Sequence, residues 1–242
     1  NVARRFLNTI SPNFGIEVGH LKRIPIGDVS VAASQPMGVE KCVRIAMRDW
    51  NAYERSWDFQ SLPLLTASSE PAPALESSYT AWIAENKNTI AEMKRLEEEN
   101  NRLFIDAYGL QDELSPEVPI KQITLTVNPA YRYGGKLSEE QQWSRFRQDT
   151  MRELVAYAVG CMMGRYSLDK PGLILANAGD GMPEYLAQVP EPRFTPDEDG
   201  ILPVTAEDDF EDDLPSRVRE FIRVAFSAEH YDENIRFLEE AL

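Results

Sequence analysis

The sequence predicts a mainly α protein with minor β: a long coiled-coil-like helix packed with several amphipathic helices, and short β-elements near the N-terminus and around 121–127. Three observations predict it. Residues 74 to about 114 carry apolar side chains at Leu75, Tyr79, Trp82, Ile83, Ile90, Met93, Leu96, Leu103, Phe104, Ala107 and Tyr108. Steps of three, four and seven put them on one stripe of a 3.6-residue helix. Further stretches with the same period follow at 34–57, 138–164 and 215–242, and the alternating run Ile123-Thr-Leu-Thr-Val127 reads as a strand.

Glu92 to Arg102 supplies the solvated face of the long helix, with Glu98 and Arg102 in the favourable i,i+4 order. Gly109 is its C′ stop, so the rod spans roughly 35 residues, or about 50 Å at 1.5 Å per residue. Asn86 and Asn100 fall near the seam, where a polar residue can fix register at some cost in stability. The helix is either a long core helix or a spacer arm.

Bulk properties restrict the function. Forty acidic against 25 basic residues leave a net charge of −15, which argues against a general nucleic-acid coat or a membrane-surface protein. No apolar run approaches the ~20 residues that cross a bilayer, and no secretory leader pattern is present. Cys42 and Cys161 sit among apolar residues without a CxxC partner, as buried thiols of a cytoplasmic protein do. The chain starts at Asn1 and stops at Leu242 without a cap or tail, so it reads as a fragment whose chemistry lies elsewhere.

In chain order, residues 1–33 are the end of a preceding β-containing region, and 34–242 form a helical scaffold with a linker at 61–73 and an acidic loop at 195–214. Within 1–33, FGIEVGHLKRIPI reads as one or two short strands around Gly19, and Pro25 ends or demotes the second. Gly27-Asp28 marks a turn. Ser34 and Pro36 start a helix whose apolar face is Val39, Cys42, Val43, Ala46, Met47, Trp50 and Tyr53, ending near Trp57. The Ser- and Pro-rich stretch from Ser61 delivers the chain to the long helix.

Ser138 and Gln141 form a capping box for a helix with Trp143, Phe146, Met151, Leu154, Val155, Ala158, Cys161 and Met162 inward. Gly160 and Gly164 provide close packing and a C-terminal stop, and this helix is the one expected to pack against the rod. A short buried run at Leu173–Ala176, a short helix at Pro183–Gln188, and helices opened by Pro215 and Ser227 complete the chain.

Chemical motifs are sparse. Asn128-Pro129-Ala130-Tyr131 follows the strand-like run, as Asn-Pro-Pro-aromatic does in amino-methyltransferases, where Asn and Pro hold the attacking amine. Ala130 replaces the second proline and no glycine-rich donor loop accompanies it, so it reads as a turn. Gly179-Asp180-Gly181 lacks both Walker spacing and a ladder of oxygen ligands, and is also a turn. His20 and His230 have no metal-ligand spacing around them. Nine acids and no base lie between Asp197 and Asp213, either as a solvated loop or as a docking or DNA-mimicking face.

Several long strings carry a resemblance: ARRFLNTISPNFGIEVGHLKRIPI, WDFQSLPLL, EMKRLEEENNRLFIDAYGLQDELSPEVP, MRELVAYAVGCMMGRYSLDKPGLILAN and YLAQVPEPRFTPDEDGILPV. They look like the middle-to-C-terminal part of the PglX family, the adenine-specific DNA methyltransferases of bacteriophage exclusion (BREX) systems. The resemblance implies that the complete protein moves a methyl group from S-adenosyl-L-methionine to N6 of adenine in double-stranded DNA. It further implies that this marks self DNA and acts in phage exclusion with other BREX subunits. The family's donor loop and catalytic motif lie upstream, so no catalytic, cofactor-binding or metal residue is assigned here. The segment is then a helical spacer placing catalytic and DNA-reading parts, with DNA-backbone contacts expected from Arg4, Arg5, Lys22, Arg23 and Arg132. The competing class is an acidic interaction module that docks a partner subunit or imitates DNA.

Overall fold

The computed structural model describes residues 2–11, 15, 17–25, 36–70, 73–204 and 213–242. Its described helices are α1 (Val2–Ile10), α2 (Val18–Leu21), α3 (Pro36–Asn51), α4 (Leu75–Ala107), α5 (Pro129–Arg132), α6 (Glu139–Met162), α7 (Met182–Gln188), α8 (Leu214–Ala225) and α9 (Tyr231–Glu239). Short 3₁₀ turns occur at Pro63–Leu65, Ile120–Gln122 and Ala228–His230. The chain divides into two compact units, one of residues 1–48 and 87–132, the other of 49–86 and 133–242. The 33-residue α4 contributes its first part to the second unit and its remainder to the first.

No strand occurs among the described residues, which corrects both expected β-elements. Near the N-terminus, Val18–Leu21 is helical because Glu17 and His20 cap it, the Glu17 N–H donating to His20 Nδ1 at 3.0 Å. Around 121–127 the alternation does bury Ile123, Leu125 and Val127, but no neighbouring strand supplies a ladder. Asn128 takes that part instead. Its Nδ2 donates to the carbonyls of Ile120 and Ile123, both at 2.8 Å, and its Oδ1 accepts from Ala130 N–H at 3.2 Å. Period-two burial therefore needs only an apolar floor, and the backbone groups can be satisfied by one amide side chain.

In the first unit, α4 ends where Gly109 adopts φ +64, with Leu110 N–H donating to Ile105 O and Gly109 N–H to Asp106 O. That pair of bonds is a Schellman stop. The chain then returns along the same helix: Glu98 Oε1 accepts from Val118 N–H at 3.0 Å and Asn101 Nδ2 donates to Pro116 O at 3.1 Å. Phe6 of α1 lies 5.6 Å from the Tyr108 ring, and the Tyr108 hydroxyl donates to Pro25 O at 2.7 Å. Helix α3 is linked to α4 through Lys41 with Glu92 and Arg48 with Thr89.

The second unit is organised on α6. Ser138 Oγ accepts from Gln141 N–H at 3.2 Å and Gln141 Oε1 accepts from Ser138 N–H at 2.9 Å, the reciprocal cap read from sequence. At the other end Gly164, at φ +69, stops the helix with Arg165 N–H donating to Gly160 O at 2.8 Å. Between them Phe146, Met151, Leu154, Tyr157, Cys161 and Met162 are buried, each such side chain contributing about 1.5–3 kcal/mol. Helix α6 packs on α8, and Leu75, Tyr79 and Trp82 from the first turns of α4 join the same core. Tyr157 and Tyr166 stack at 5.2 Å, with Phe59 edge-on to Tyr166 and Phe194 edge-on to Phe221. Arg147 lies 3.8 Å over the Phe237 ring and donates to Phe237 O, tying α9 to α6.

Candidate functional site

Of the five basic residues singled out from the sequence, Arg4 and Arg5 lie on α1, and Lys22 and Arg23 directly follow the end of the neighbouring α2 in the first unit. Helices α1 and α2 pack on each other and exchange contacts with Tyr108 at the end of α4, so Arg4, Arg5, Lys22 and Arg23 belong to one end of that unit. All four side chains are exposed. Arg5 pairs with Glu113 at 3.1 Å, both partners more than half exposed. Such a pair is worth well under about 1 kcal/mol and exchanges readily for another anion. Arg132 ends α5 and is half-buried. Sequence alone leaves these cations scattered; folding brings α1 and α2 together.

The Asn-Pro-Ala-Tyr stretch is structural. Asn128 is 1% exposed, and both its amide groups are engaged with the backbone of 120–130. A side chain so held cannot present itself to an incoming amine. Tyr131, by contrast, is 48% exposed to solvent. No group of three or more His, Cys, Asp or Glu among the described residues forms a metal-binding cluster.

The acidic run separates into parts. Asp197 Oδ1 accepts from the N–H groups of Asp199, Gly200 and Ile201 at 2.8–3.2 Å; desolvation pushes its carboxyl up, but the Asp199 side chain and these backbone bonds together hold it below the usual range. Asp213, fully buried, caps α8 by accepting from Ser216 N–H at 2.7 Å. Both ends of the run are therefore local structure, whereas Glu207, Asp208, Asp209, Glu211 and Asp212 lie outside the described residues. So do the Gly27-Asp28 turn and the Ser34 start signal.

A pocket of about 500 Å³ opens in the second unit beside Ser61, Tyr157, Ser167, Lys170, Arg193 and Phe226, a site no sequence signal indicated. Its cations are already engaged. Arg193 Nε donates to Asp169 Oδ1 at 2.5 Å and its Nη2 to Leu168 O at 2.7 Å, while Lys170 Nζ donates to Gln188 Oε1 at 2.7 Å. The Tyr157 hydroxyl donates to Ser167 O at 3.1 Å. Cys161 lies 1% exposed in the adjoining core, and burial pushes its thiol up to about 12, so it is no nucleophile at neutral pH. Burial also raises Cys42, helped by Glu97 and Glu92.

No family model matches the chain. It is 33% identical over 234 residues to the adenine-specific methyltransferase BrxX of Escherichia coli O9:H4 (strain HS), covering 96% of this chain and 19% of that protein. It is 30% identical over 246 residues to the adenine-specific methyltransferase PglX of Lacticaseibacillus casei (strain Zhang), covering 100% of this chain and 18% of that protein.

The chain is a relative of BrxX and PglX. It spans about a fifth of the length of each, so most of either relative has no counterpart here. The likeness to PglX runs through both compact units and all described helices, which makes the two units parts of one shared segment. None of the described helices is long and apolar enough to cross a membrane.

Proposed function

We propose that this segment belongs to a methyltransferase that modifies N6 of adenine in double-stranded DNA with S-adenosyl-L-methionine as donor, and that the parent acts in phage defence. Similarity over 96–100% of this chain to part of two adenine-specific methyltransferases carries the reading. Within that protein the segment is a spacer and scaffold that places catalytic and DNA-recognition parts, and it performs no bond-making. The residues described here do not fit a donor site: the one Asn-Pro-aromatic stretch has its amide locked in a turn, and no glycine-rich strand-to-helix loop adjoins it. A continuous 33-residue helix shared by two compact units suits a geometric role, because a flipped base must stay in register with the surface that reads its neighbours.

Arg4, Lys22 and Arg23 contact the DNA backbone in this reading, with Arg5 available once it leaves Glu113 and Arg132 contributing only its exposed part. Contacts of this type add affinity and salt dependence without sequence information. Other subunits of the defence system are further partners of the parent.

The test uses the full-length parent protein. Inserting two alanines between Asn86 and Lys87 turns the two parts of α4 by about 200° and separates them by about 3 Å. Methylation of duplex DNA is expected to fall at least tenfold while donor binding persists. Undiminished methylation would overturn the spacer role, and a parent that never methylates adenine would overturn the activity itself. Charge reversal of Arg4, Lys22 and Arg23 is expected to weaken DNA binding and to flatten its salt dependence.

A further inference from the structure

The stop that ends α4 leaves an acidic rim. Gly109 closes the helix, and the N–H groups of Glu113 and Leu114 both donate to Leu110 O at 3.0–3.1 Å, so a tight turn follows at once. Asp106, Asp112 and Glu113 around that turn are all exposed. The last turn of α4 contains no base, although a helix C-terminus carries about half an elementary negative charge. The cation that answers it comes from 108 positions away: Arg5 of α1, whose Nη2 donates to Glu113 Oε2 at 3.1 Å. Contacts beside the pair fix the approach, with Phe6 against the Tyr108 ring and the Tyr108 hydroxyl on Pro25 O.

Arg5 therefore differs from its neighbours. No acid among the described residues pairs with Arg4, Lys22 or Arg23, and all three side chains are exposed. Four cations share this end of the first unit, and one of the four already holds an anion. Carboxylate and phosphate oxygens accept from a guanidinium in the same way, so a phosphate arriving at Arg5 meets Glu113 in its place. The pair is exposed and weak enough to open, yet it is intramolecular and re-forms whenever the phosphate leaves.

We propose that Glu113 is an internal competitor for the DNA backbone: its carboxylate occupies, at Arg5, the position of a phosphate and holds the basic end of the first unit in a weakly binding state. The proposal rests on the reading of Arg4, Arg5, Lys22 and Arg23 as DNA-backbone contacts, and its test separates the two. Competition of this kind weakens binding to every sequence alike, because backbone contacts carry no sequence information.

The experiment uses the full-length parent and a fluorescein-labelled duplex, with affinity read by fluorescence anisotropy at low ionic strength. Four proteins are compared: the unaltered parent, Glu113→Gln, Arg5→Gln, and the two changes together. Circular dichroism of each confirms that the helices are retained, both side chains being more than half exposed. Glu113→Gln is expected to tighten binding about two- to fivefold while Arg5 is present, the size an exposed ion pair supports. In the Arg5→Gln background the same change is expected to leave affinity within about 1.5-fold, the difference being the coupling between the two residues. No tightening by Glu113→Gln, or equal tightening with and without Arg5, would overturn the competitor, the second by showing a general charge effect. Undiminished DNA binding after charge reversal of Arg4, Lys22 and Arg23 would overturn the contact reading itself, whatever Glu113 does.

Discussion

Asn234 Oδ1 accepts the backbone N–H of Leu75 at 2.8 Å, so a residue 159 positions away caps the first turn of the longest helix. The same side chain donates through Nδ2 to Ser227 O, and Ser227 N–H donates to Pro73 O at 3.1 Å. The beginning of α4 carries no capping side chain of its own at Ala74, and helix α9 supplies one. Helix N-termini leave donors unsatisfied, and a buried start without a partner is costly.

Asn234→Ala removes both bonds at a site 1% exposed and strands the Leu75 amide in the core. A loss of about 1–3 kcal/mol is expected. Urea unfolding followed by tryptophan fluorescence reports the second unit, because Trp50, Trp57, Trp82 and Trp143 all belong to it. An unchanged midpoint would show that water replaces the cap.

Asn128→Ala should cost about 2–3 kcal/mol, since three backbone partners at roughly 1 kcal/mol each are released. Denaturant unfolding followed by circular dichroism measures it. In the full-length parent, methylation should fall only as the folded fraction falls. A variant of normal stability without methyl transfer would assign Asn128 to chemistry after all.

How much of this was legible depends on where each signal resides. Caps and stops made by neighbouring residues were readable: Ser138 with Gln141, Gly109, Gly164 and Pro215 all stand at helix ends. Local period gave α4 and α6 their length, though α3 stops at Asn51 and not near Trp57. Period does not say which way a stripe faces, so α3's apolar face was expected inward and is found outward. Nor does it distinguish a strand from an extended segment pinned by one amide, which is why Ile123–Val127 misled. The Asn234 cap was invisible because its two partners are distant in sequence. The expected pairing of α6 with the rod is realised mainly as α6 on α8, with only the first turns of α4 entering that core.

Gly160→Ala tests the closest approach in the α6 core. A Cβ there would stand 2.7 Å from the Tyr166 ring, which is itself stacked on Tyr157 and edge-on to Phe59. The ring cannot withdraw without disturbing both neighbours, so a loss of about 1–3 kcal/mol is expected. Thermal unfolding checks it, and near-ultraviolet circular dichroism should show the tyrosine signal altered. Gly164→Ala should be worse than a helix-interior exchange, because it combines φ +69 with a Cβ 2.7 Å from Leu175.

Alkaline pH should unfold the second unit through groups that keep their protons when buried. Burial pushes Cys161 up to about 12, against an ordinary value of 9.0, the Tyr157 hydrogen bond only partly offsetting it. Burial likewise pushes Tyr79 up to about 12 from 10.0, with Arg147 pulling the other way, and raises Tyr157 further. Each group binds its proton more tightly folded than unfolded, so unfolding releases protons and stability falls as pH rises. The contribution is whole below about pH 9, declines between the ordinary and the raised values, and is lost as pH passes about 12. Urea midpoints are therefore expected to be flat from pH 7 to 9 and to drop steadily above it. Tyr79→Phe should make that drop shallower, and native Cys161 should stay unreactive toward thiol reagents at pH 8. A midpoint independent of pH up to 11 would show that these side chains are solvated in the native state.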